Sequence, residues 1–172
     1  MTRPVLAAVA LLALAACSPA VSTTTAPVSS APPAAAPTSS TPTPTPTPVV
    51  QKDATTLANL VKQASTTKIV TIDENNDPNN KIGRPNGYIS AAILYDSTVK
   101  CTELGTDCGA GIEVFPTAAE AQARADYIQS ILKSMPALGT EYDTVVGAAL
   151  LRVTGKIKPS VATLYAAAMA KA

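Results

Sequence analysis

Histidine and tryptophan are absent from this chain of 172 residues, and phenylalanine occurs once. Without histidine the chain lacks the commonest general base and the commonest metal ligand, which excludes Ser-His-Asp triads and zinc sites. Net charge is also nearly absent: 13 Lys and Arg stand against 12 Asp and Glu. No basic patch suggests nucleic acid, and no one-signed field would steer a charged partner. A membrane-spanning run is missing as well. Val5 to Leu14 is almost wholly Val, Leu and Ala, but a spanning helix needs about 20 such residues.

That short apolar run has a meaning of its own. Met1-Thr2-Arg3 forms a minimal positive start, and the run ends in Leu14-Ala15-Ala16-Cys17. Small residues before a cysteine, after Leu, resemble a bacterial lipoprotein signal. The resemblance implies that the chain is cut before Cys17 and that the Cys17 thiol carries acyl chains, palmitate among them. At about 0.8 kcal/mol per buried methylene, two or three chains would hold the protein on a bilayer, whereas one would not. Residues 1–16 are then a signal peptide. Their removal takes Arg3 away and leaves 12 basic against 12 acidic residues.

Residues 17–50 read as the lipidated cysteine followed by a disordered Ala/Ser/Thr/Pro linker. Pro19, Pro27, Pro32, Pro33 and Pro37 lead into a strict Thr-Pro repeat from Thr41 to Pro48. Such a tract buries no core and has too few amide donors for helix or sheet. As polyproline II it reaches at most about 95 Å, enough to lift a domain off a membrane. Its Ser/Thr-Pro density also suits O-glycosylation.

Residues 51–172 read as one α+β domain, a small sheet of three to four strands with helices packed on it, in the order α-β-β-β-α-β-α. Asp53 can cap a helix carrying Leu57, Leu60, Val61 and Ala64. Lys68 to Ile72 is a short β-branched strand. Tyr88 to Tyr95 and Ala110 to Phe115 follow as strands. Thr117 and Glu120 have capping-box spacing, and the helix they open carries Ala118, Ala121, Ala125, Ile128 and Leu132 on one side, with Glu120 and Arg124 paired on the other. Pro136 ends it. Tyr142 to Val153 reads as one long central strand, apolar on both faces. Pro159 suits the first turn of a last helix whose Val161, Leu164, Tyr165 and Ala168 pack inward.

Cys17 aside, Cys101 and Cys108 remain, and an exported chain places them in an oxidising compartment, so a disulfide between them is expected. Asp73, Asn75 and Asp77 have the 1, 3, 5 spacing of a calcium loop, but Pro78 stands where glycine is needed and Arg84 where a bidentate Glu is needed. A string of Asx turns is the alternative. Pro85-Asn86-Gly87 is a turn signal. Ser97 and Lys100 share an S-x-x-K spacing that no second motif supports. No metal, no cofactor and no catalytic residue is expected. Asp73, Asn75, Asp77, Arg84 and Tyr88 are the candidate binding loop, with Arg84 and Tyr88 as anchors, and the stretch Asn75 to Asn80 is expected to be removable without loss of folding.

Asp73 to Asn79, Gly83 to Tyr88 and Tyr142 to Val153 together resemble a group of small secreted lipoproteins from actinobacteria and their phages. Lys158 before Pro159 departs from the Thr or Ser cap expected there. The resemblance implies export, a location on the outer face of the cell membrane, the bilayer as a partner through acylated Cys17, and an envelope or protein partner for the domain. For a phage-borne gene it implies superinfection exclusion. A carrier of a small ligand or lipid is the alternative.

Overall fold

The structure is a computed structural model that describes residues 51–172; the signal segment, Cys17 and the linker lie outside the described residues. Asp53 opens the first helix, α1 (Ala54–Val61), by accepting a hydrogen bond from the Thr56 amide. The strands are β1 (Thr66–Ile72), β2 (Ser90–Asp96), β3 (Gly109–Val114), β4 (Glu141–Val146) and β5 (Ala149–Thr154). They form one antiparallel sheet in the order β1-β2-β3-β5-β4. Helix α2 (Ala118–Ser134) joins β3 to β4, and α3 (Pro159–Met169) follows β5. The fold is α+β, with five strands where the sequence suggests three to four.

The extra strand comes from Tyr142 to Val153, which is a hairpin and not one strand. Gly147, at φ 56°, opens a two-residue turn between Val146 and Ala149. A positive φ at the first central position matches the right-handed twist of the flanking strands, and glycine adopts it without steric penalty. Strand β5 lies inside the sheet and β4 at its edge. The apolar run hides this turn because Val146 and Ala149 continue it on the two sides of the reversal and Ala148 within it.

Alternation along the strands divides the core into two layers. Ala92, Leu94, Ile112, Val114, Leu151 and Val153 face α1 and α3, which contribute Leu57, Val61, Ala162, Tyr165 and Met169. Ala91, Ile93 and Leu150 face the other way, beneath Phe115, Tyr88 and the Ala121, Ala125 and Ile128 stripe of α2. Several expected inward residues lie outside these layers. Leu60 and Leu164 are exposed, Ala118 is exposed, and Ala64 falls beyond α1. In α3 the buried stripe is Ala162, Tyr165 and Met169, which turns Leu164 outward.

The cap of α2 forms in part as expected. The Thr117 hydroxyl oxygen accepts from the Glu120 amide, but it donates to the Glu120 carboxylate, so that carboxylate does not reach back to the Thr117 amide. Arg124 does not pair with Glu120. It turns under the helix to Glu113 of β3.

Candidate functional site

The loop from Asp73 to Ile89 is built around Asp77. One carboxylate oxygen accepts from the Asn79 amide and the Tyr88 hydroxyl, and the other from the Lys81 and Ile82 amides. Asp73 Oδ1 accepts from the Asn75 and Asn76 amides. Each aspartate thus bonds the amide two residues on, and the Asx-turn reading holds. These carboxylates serve the backbone of the loop. Among the described residues no group of three or more His, Cys, Asp or Glu converges to hold a metal ion. Arg84-Pro85-Asn86-Gly87 is a tight turn closed by the Gly87 amide on the Arg84 carbonyl, with Asn86 at φ 59°. A Cβ on Gly87 would stand 1.9 Å from the Lys81 carbonyl oxygen, so only glycine fits.

The structure separates the candidate anchors. Tyr88 is 1% exposed, and its ring meets Phe115 edge to face at 6.1 Å. Burial, then the hydrogen bond to Asp77, hold its hydroxyl protonated far above the usual phenol range. It anchors the loop to the core and is not available to a partner. Arg84 is exposed and donates to Asn80 Oδ1 at 2.8 Å. Asp73 and Asn75 are exposed on a separate stretch of the loop. Excising Asn75 to Asn80 would remove Asp77 and leave the buried Tyr88 hydroxyl without its main partner, so the excision should cost stability, against the expectation from sequence.

Cys101 and Cys108 are joined, with their Cα atoms 4.6 Å apart. The bridge closes the segment between β2 and β3, and Cys108 is buried in the layer beneath α2.

The charged residues that sequence reasoning missed lie next to this segment. Glu113 projects from β3 toward α2 with its side chain 6% exposed. It accepts from Arg124 Nε at 3.0 Å and from Arg152 Nη1 at 2.7 Å. Arg152 also forms a two-pronged pair with Glu141 through Nε and Nη2, both at 2.8 Å. Two carboxylates accept from all three nitrogens of the inner guanidinium, whose pKa rises because these hydrogen bonds and charges outweigh burial. Next to Arg152 in register is Asp143. Gln129 donates to its Oδ2 at 2.9 Å, while its buried Oδ1 has no partner. Burial first, then the charges of Glu141 and Glu113, raise the Asp143 pKa. The signal for this network was available: Glu113 and Arg152 are lone charges of opposite sign inside apolar strands, where an unpaired charge is not tolerated.

Two open clefts flank Tyr127 of α2, which is 58% exposed. The first, about 410 Å³, has Leu104, Ile131 and Leu138 on its walls and the Arg152–Glu141 pair in its floor. The second, about 520 Å³, is bordered by Lys81, Phe115, Glu120 and Arg124. Asn79 of the loop and Tyr127 border both clefts. No family model, curated protein or solved structure matches the chain. What the residues themselves offer is a surface tied to the sheet by hydrogen bonds and ion pairs. Its charges neutralise one another below, and an aromatic ring, a leucine and polar amides stand free above.

Proposed function

We propose that the protein is an envelope lipoprotein, held on the outer face of the membrane through acylated Cys17, whose domain binds an envelope or protein partner and catalyses no reaction. The observation that carries the binding reading is Tyr127, a half-exposed aromatic between two open clefts on a surface stiffened by Asp77 and the buried ion pairs. Aromatic residues in such settings supply much of the energy of protein interfaces. The enclosed space beneath the loop, lined by Ile72, Tyr88, Ala91 and Ile93, is only about 20 Å³. That holds at most one water, and a buried lipid would not fit there. The 410 Å³ cleft lies within the size range of small-ligand sites, which supports a carrier as the second reading.

Superinfection exclusion is the biological role we attach to the binding reading, through the resemblance to phage and actinobacterial lipoproteins. Cells expressing the chain should show a reduced plating efficiency for phages that use the bound component. Tyr127→Asp should restore plating while leaving membrane abundance and melting temperature unchanged. Full exclusion by the Asp variant would place the working surface elsewhere, and unaltered plating with the native chain would remove the exclusion role.

A further inference from the structure

The layer opposite Tyr127 has a different character. Helices α1 and α3 contain no charged residue between Ala54 and Val61 or between Pro159 and Met169. Lysines flank them: Lys52 and Lys62 around α1, Lys158 and Lys171 around α3. The acid beside them, Asp53, caps α1 and bonds Thr56. Leu60 and Leu164 are 52% and 56% exposed. They share an open groove of about 480 Å³ with Gln63, Ala167, Lys52 and Lys171, and among the described residues no acidic side chain borders it. Lys52 also donates to the Ala172 carbonyl.

We infer that this groove rests on an anionic bilayer surface. Leu60 and Leu164 enter the headgroup boundary, and Lys52, Lys62 and Lys171 meet lipid phosphates. The charge pattern selects the occupant, since lysines around apolar side chains fit a negatively charged interface. A second copy of the chain, docked face to face, would bring two lysine-bordered grooves together with no acidic side chain among their described residues to pair with them. The point of chain entry agrees. Gln51 and Lys52 border a recess with Leu57, Val146 and Met169, so the segment leading back to Cys17 joins the domain beside this groove. The inference draws on the proposed anchor only for local concentration, which lets a weak surface affinity suffice. With the α1 and α3 layer against the lipid, the sheet places Tyr127 and both clefts on the side away from the membrane.

The test uses residues 18–172, the proposed mature chain without its acylated cysteine; among the described residues the buried core lies between Ala54 and Met169. Co-sedimentation at low salt is measured with vesicles of phosphatidylcholine alone and of phosphatidylcholine mixed equally with phosphatidylglycerol. Binding should favour the anionic vesicles, with each lysine contributing roughly fivefold. The variant Lys52→Gln, Lys62→Gln, Lys171→Gln should lose at least about tenfold, and so should Leu60→Ser with Leu164→Ser. Lys133→Gln on α2 should bind as the native chain does. All these positions are exposed, and unchanged melting temperatures would show that the variants fold. Equal binding to both vesicles, binding to neither, or native binding by the triple variant would overturn the inference. None of these outcomes bears on the anchor, because the probe carries no acyl group; the anchor is tested through Cys17 in cells.

Discussion

Asp77 carries the loop on one carboxylate. Its hydrogen bonds from Tyr88, Ile82, Lys81 and Asn79 outweigh the effect of burial and lower its pKa below 3.8. A lowered carboxylate contributes stability that is present above the unfolded value and is lost as the pH falls through the folded value. Asp96, held by Ser65 and Thr98, behaves in the same sense. Asp77→Ala should therefore cost about 2–3 kcal/mol at neutral pH, and the deficit should shrink in acid below pH 3.8, as followed by urea melts. Asp73→Ala, at an exposed turn, should cost far less. Asp143 has the opposite sign. Its raised pKa means that stability falls as the pH rises from 3.8 through the folded value. Asp143→Asn should therefore stabilise the domain at neutral pH by roughly 1 kcal/mol, since it removes a buried charge with one orphaned oxygen. An Asn variant less stable than the native chain at pH 7 would show that the attraction to Arg152 dominates. In the sequence Asp73, Asn75 and Asp77 look equivalent. The Lys81 and Ile82 amides on its second oxygen and the tertiary contact with Tyr88 make Asp77 different, and the 1, 3, 5 spacing reports neither.

At the scale of elements, local chemistry announced what it controls. Asp53, Thr117, Pro136 and Pro159 mark helix ends where capping and ring geometry act within a few residues, and the structure places them so. Faces of helices were less legible. Leu60 and Leu164 fit an apolar period, yet the neighbouring layer selects Leu57 and Val61 in α1 and Tyr165 and Met169 in α3. The hairpin at Gly147 was hidden because a strand buried on both faces loses the alternation that would mark its reversal. The disulfide was expected from the proposed export and the count of cysteines. It closes a short segment whose Cys108 belongs to the core, so reduction should cost about 2.5 kcal/mol in the chain-entropy model. Calorimetry with and without reductant checks this. A loss well below 1 kcal/mol would mean that Gly105, the Thr106–Cys108 turn and the Lys156–Asp107 pair hold the segment without the bridge.

For the whole molecule, the division of labour rests on the sheet. One face carries α1 and α3, bordered by lysines and joined to the segment that leads to Cys17. The other carries α2, the Asp77 loop and the two clefts. The ion pairs of Glu113, Arg124, Arg152 and Glu141 bind α2 to β3, β5 and β4, so the cleft surface is fixed to the sheet. Among the described residues both layers begin at Ala54 or later, and the Pro-rich composition of the tract before it cannot bury a core. A chain beginning at Val49 should therefore melt within a few degrees of one beginning at Ser18, while Cys17→Ala in the full chain should release the protein from carbonate-washed membranes or leave it unprocessed, without changing the domain. The two measurements divide the hypothesis. Cys17→Ala protein recovered in the membrane pellet at native level after a carbonate wash would sink the acyl anchor. If instead it is released and phage plating returns to that of cells without the gene, the Tyr127 surface works only when held at the membrane, as a tethered binding domain requires.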